Sequence, residues 1–328
     1  SYESLQLDGD VIVNTMGGDL NLEAVQDLTI AGSISTANGS IVALADNIVM
    51  NSGTTVNTMG GDLNLGAAQD LTIAGPISTA NGSMVAVAGN IFMNSGTTVN
   101  TMGGDLTLGA AQDFTIAGPI STANGSMVAV AARNIIMDSD STIDLGVGSL
   151  LMNATEDATI TGITTSNDNI CSAGQTGCAV TLLATNVIDG GNVNADITMN
   201  GNGGLRIGVH QYANINQINH NGSEPLSMNI GGKNNGARAV ASMLGVNAPN
   251  GVNVANISMN SAVISAPQTA VASGGSAFTV TNGNIRDNLY LDIGAGGGSP
   301  FLARIGRLEA TNLSPDNWLL AGTAAGYF

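Results

Sequence analysis

The chain is written in tandem copies, and this constrains its fold more than any other feature. TMGGDLNL begins at Thr15 and again at Thr58, and TMGGDLTL begins at Thr101, so each copy is displaced by 43 residues. QDLTIAG from Gln26 returns at Gln69 and, as QDFTIAG, at Gln112, while ISTANGS from Ile34 returns at Ile77 and Ile120. A fixed period of this length is the mark of a stacked, quasi-one-dimensional architecture.

Each copy divides again. Placing Gly18-Asp19-Leu20-Asn21-Leu22 over Gly39-Ser40-Ile41-Val42-Ala43 brings Asp27-Leu28-Thr29-Ile30 close to Asn47-Ile48-Val49-Met50, so the structural unit is a coil of about 21–22 residues. Within a coil, Leu20-Asn21-Leu22, Leu28-Thr29-Ile30 and Ile34-Ser35-Thr36 alternate, which predicts three short strands with aliphatic groups on one face and Asn, Thr or Ser on the other. A single coil cannot bury its own apolar face, whereas stacked coils form parallel sheets around an aliphatic column. The predicted fold is all-β, a right-handed parallel β-helix (β-solenoid), less regular towards the C-terminus.

Composition agrees. Only 9% of residues are charged and 3% aromatic, with 45 Gly, and this favours a thin, small-residue core over a conventional enzyme core. The formal net charge of −17 repels phosphate backbones and anionic headgroups, so nucleic acid is not an expected partner. No apolar run approaches the roughly 18 residues of a membrane span, so membrane insertion is not expected either. Ser1 to Leu7 has no basic, signal-like character, and the reading is of a mature or processed piece of an exported chain without its signal peptide.

Carboxylates recur on alternate coils. Asp19, Asp62 and Asp105 share a column with Ser40, Ser83 and Ser126, and Asp27, Asp70 and Asp113 alternate with Asn47, Asn90 and Asn134. Like charges then lie about 9–10 Å apart rather than one strand spacing, which weakens their repulsion. A calcium ladder is the alternative, but the columns lack the adjacent carboxylates of calcium-binding β-rolls. The Asn-Gly-Ser triplets at Asn38, Asn81 and Asn124 match the glycosylation sequon, yet they also read as coil corners, because Asn-Gly favours turns through positive φ.

The phrase from Gly17 to Ile48, GGDLNLEAVQDLTIAGSISTANGSIVALADNI, resembles the repeats of filamentous-haemagglutinin-like exoproteins secreted by two-partner systems. PLSMNIGG from Pro225, APNGVNVANISMNSAVISA from Ala248 and FTVTNGNIRDNLYLDIG from Phe278 resemble the later coils of such proteins. The resemblance implies a right-handed β-helix shaft on the bacterial cell surface or secreted outside the cell, with a role in adhesion or biofilm. It also implies self-association or contiguous β-helix domains in a fibre, and a host or matrix glycan as a further partner.

Four segments are expected: a regular β-helix with the duplications over 1–144, irregular coils with a cysteine loop over 145–200, less regular coils with polar loops over 201–300, and an apolar cap or assembly segment over 301–328. Cys171 and Cys178 bracket a polar, Gly-containing loop and are expected to close a disulfide. His210 and His220 lie in a polar stretch and are expected to be solvated or capped. Phe301, Leu308, Leu313, Trp318, Leu319, Tyr327 and Phe328 crowd large apolar groups into the last segment. They look too bulky for the coil interior, so the segment is expected to leave the ladder and to serve as an assembly interface. No catalytic residue, metal or cofactor is assigned. The function expected is a non-enzymatic adhesive shaft, with a polysaccharide-binding or polysaccharide-cleaving β-helix as the alternative.

Overall fold

The computed structural model describes residues 3–169, 178–184, 193–209, 212–223 and 226–232, and beyond these only the strands between residues 240 and 321; side chains are described as far as residue 230. The described chain is a parallel β-solenoid without helix. It divides into two compact units, Ser1–Ala154 and Thr155–Phe328.

Three parallel ladders of seven strands each build the first unit. One runs from Leu5–Leu7 through Asp27–Ile30 to Ile135–Met137, a second from Ile12–Asn14 through Ser33–Ser35 to Ile143–Asp144, and a third from Leu20–Glu23 through Ile41–Ala45 to Leu150–Ala154. The sequence alignment of half-repeats is the observed register: Leu20 pairs with Ile41 and Asp27 with Asn47.

The duplication spans two coils because the coils differ in small, compensating ways. Along the first ladder, the step from Asp27 to Asn47 is 20 residues and that from Asn47 to Asp70 is 23. Inside, the third ladder stacks Ala43, Leu65, Ala86, Leu108 and Ala129 in register. The coils with Ala carry Met50, Met93 and Met137 on the first ladder, and those with Leu65 and Leu108 carry Ile73 and Ile116. A small residue with a long one thus alternates with two of middle size. Each layer keeps its volume, as a close-packed interior demands.

Polar columns tie one coil to the next. The backbone N–H groups of Ser40, Ser83 and Ser126 each donate to Oδ1 of Asp19, Asp62 and Asp105 at 2.8 Å, and Asp62 N–H donates in turn to Ser40 Oγ at 3.3 Å. In the other column Asn47, Asn90 and Asn134 donate Nδ2–H to Asp27, Asp70 and Asp113 at 2.8–2.9 Å. Alternation therefore does more than separate the charges. Every carboxylate meets a donor from the coil above it.

The corners depart from the simple inside-outside rule. Thr36, expected to face outward, is fully buried, as are Thr58, Thr79, Thr101 and Thr122. Each hydroxyl donates to the carbonyl of the glycine three residues on, as Thr36 does to Gly39 and Thr79 to Gly82. A hydroxyl satisfied within its own corner costs little to bury. Thr79→Val keeps the shape but leaves the Gly82 carbonyl without this donor, so urea unfolding should show a loss of about 1–2 kcal/mol. The outward-facing Thr72→Val should be nearly neutral, and equal losses for the two would remove the argument.

Asn38 and Asn81 have φ of 83° and 86°, as the turn reading of their Asn-Gly-Ser triplets requires, whereas at the third triplet the positive φ falls on Ala123, at 58°, and not on Asn124. The glycines that follow them serve a different need. Gly39, Gly61, Gly82, Gly104 and Gly125 each sit on the carbonyl of the preceding glycine in the column, so close that an added Cβ would lie 2.0–2.2 Å from that oxygen.

In the second unit the strands lengthen. Ala158–Thr165, Val193–Met199 and Tyr212–His220 pair in parallel and in sequence, as do Val180–Ala184, Gly204–Val209 and Leu226–Gly232. Val252–Thr269 and Phe278–Ala295 continue the parallel pairing over 18 residues each. In the final segment the described strands do not leave the ladder, as that segment was expected to do. Ala303–Ile305, Leu308–Glu309 and Trp318–Ala321 all pair in parallel with Phe278–Ala295, Trp318 opposite Leu289. Backbone pairing to a long, open strand edge thus holds these residues in the sheet despite their bulk.

Candidate functional site

Three strands of the second unit line a groove. Register between Ala158–Thr165 and Val193–Met199 shifts between Ile160 and Ile163, and register between Val193–Met199 and Tyr212–His220 shifts between Ala195 and Asp196. The outer two strands therefore each carry one residue more than the strand between them at this level, and Gly162 on the first has φ of 61°. Bulges bend a strand and redirect its side chains.

The resulting groove has a volume of about 370 Å³, at the small end of the roughly 300–1,000 Å³ of ligand sites. Two polar rows face it across the coils, Thr159–Asn194–Asn214 and Thr161–Asp196–Asn216, with Ile160, Ala195 and Ile215 buried between them. Asn214 Nδ2 donates to Asn194 Oδ1 at 3.1 Å and Asn216 Nδ2 to Asp196 Oδ1 at 3.0 Å. These are the inter-coil amide bonds of the first unit repeated at a bend. Among the lining residues Asp196 alone is ionisable.

Of the residues singled out from sequence, Cys178 is buried and disulfide-bonded, while Cys171, the other cysteine of the chain, lies outside the described residues. His210, Phe301, Leu313, Tyr327 and Phe328 also lie outside them. Leu308, Trp318 and Leu319 stand on paired strands.

His220 corrects the expectation of a solvated ring. It is fully buried, faces the interior opposite Met199, and neither ring nitrogen has a hydrogen-bond partner. Burial pulls its pKa below the ordinary 6.5, and the nearby Gly201 carbonyl offsets this only in part, without a well-aligned hydrogen bond.

The groove residues were not singled out from sequence, though a signal exists. Asn194 and Asn214, like Asp196 and Asn216, are 20 residues apart, the same step that joins Asp27 to Asn47. Comparison with family models, with curated proteins and with solved structures finds no match to this chain.

Proposed function

We propose that this chain is a non-enzymatic shaft segment of an extracellular bacterial surface fibre, of the kind built by filamentous-haemagglutinin-like exoproteins, stacking with further coils or copies of itself. The observation that carries the reading is the use made of polar side chains in the first unit. Asp, Ser, Asn and Thr columns are spent on bonds between and within coils, a construction that supplies stiffness along the stack. The glycine column, which tolerates no side chain, presses the same coils together.

Immunogold imaging of cells that make the chain natively should place the label along filaments outside the cell. Label confined to the cytoplasm would end this reading.

A polysaccharide-active β-helix is the second reading, favoured by the groove of the second unit. Hydrolysis of a glycosidic bond ordinarily takes two carboxyl groups flanking it, and Asp196 stands without a second among the lining residues. Binding without cleavage suits that lining better.

A further inference from the structure

A shaft needs no groove, yet three successive strands of the second unit line one, the outer two of them bulged. We propose that the groove lined by Thr159, Thr161, Asn194, Asp196, Asn214 and Asn216 binds an uncharged, hydroxyl-rich polysaccharide chain. The inference does not rest on the fibre role.

The lining decides the class of ligand. A primary amide offers two donors and an acceptor, and the bond from Asn214 to Asn194 uses one donor of the first and the acceptor of the second. Asn216 likewise commits one donor to Asp196. Those bonds hold the four side chains in place, so little rotamer freedom is lost when a ligand binds. The remaining amide donors, the carboxylate of Asp196 and the Thr159 hydroxyl form a mixed set of donors and acceptors. Sugar hydroxyls, which both donate and accept, match such a set. Sulfate and uronate groups only accept, and they would face Asp196 with no cation among the lining residues, in a chain of net charge −17.

Tyr212 adds an apolar plate. It is 42% exposed and points outward on the same strand as Asn214 and Asn216, at alternate positions, so it stands beside the Asn214 row, next to the groove lining. A phenol ring there can cover the C–H face of a sugar while the amides engage its hydroxyls.

The test is calorimetric titration of the full chain with neutral gluco-, manno- and galacto-oligosaccharides, beside sulfated and uronate oligosaccharides and with chelator present. At least one neutral series should bind, unaffected by chelator. Asn194→Ala combined with Asn214→Ala should weaken it tenfold or more, and the shape-preserving Thr159→Val severalfold. Asn64→Ala, in the first unit, should change nothing. Thermal unfolding of each variant separates loss of binding from loss of fold, and Thr159→Val keeps the test alive if the double variant is destabilised. The proposal is overturned if no neutral series binds, if the anionic series binds more tightly, if binding requires calcium, or if the groove variants bind undiminished. None of these outcomes bears on the filament imaging that tests the shaft.

Discussion

Gly82→Ala should cost about 3 kcal/mol or more, although alanine is among the mildest of substitutions. Its Cβ would lie 2.0 Å from the Gly61 carbonyl oxygen and 2.6 Å from its carbon. Both are backbone atoms of the coil beneath, held by parallel pairing on each side, as between Met84–Ala88 and Leu63–Ala67. Relief requires the coils to part, and a stack gains its stability from contacts between neighbours. Two further glycines isolate the cause. Gly96 has φ of +88° and open space around it, so Gly96→Ala should cost only the 1–2 kcal/mol of a left-handed backbone. Gly109 lies in a strand with only ordinary contact to Val87, at 3.8 Å, and Gly109→Ala should be neutral or slightly stabilising. Urea unfolding followed by circular dichroism ranks the three. A loss for Gly82→Ala no larger than that for Gly109→Ala would show that close stacking of the corner does not hold the coils.

The first unit was legible because its repeat compares the chain with itself. Two coils aligned residue by residue give the register, and alternation within Leu28-Thr29-Ile30 gives the buried face. Alternation holds at the corner, where Thr36 lies inward two residues after Ile34, and only its polar character hid this, since a carbonyl of its own turn is there to receive its hydroxyl. Alternation itself fails in the second unit, where single-residue bulges leave no mark in composition. In Tyr212–His220, Ala213 and Ile215 face the core, and unbroken alternation would send residues 217 and 219 inward and His220 out. The extra residue at Asn216–Gln217 reverses the phase, so Ile218 and His220 are the buried ones. The slip that hides the histidine also opens the groove.

The buried His220 makes the second unit sensitive to acid in a range set by an imidazole. Its folded pKa is depressed below 6.5 because protonation would place a charge in the interior opposite Met199, with no partner for either nitrogen. The unfolded chain takes up the proton as pH falls through 6.5 while the folded chain does not, so the unfolded state binds more protons and stability declines. Above 6.5 both states are neutral at this ring and the contribution vanishes. One proton sets the steepest slope at about 1.4 kcal/mol per pH unit, continuing downward until the folded pKa is reached. His220→Leu removes both the titration and the unsatisfied ring nitrogens, and it should stabilise the fold by about 1–3 kcal/mol at pH 7.5. The gain should grow as pH is lowered from 6.5 to 5, since the carboxylates common to both proteins cancel in the difference. Denaturant unfolding of the two proteins over pH 5–8 measures that difference. A difference that stays constant with pH would mean that the ring reaches a proton acceptor or solvent in the folded state, and that its interior position does not govern its charge.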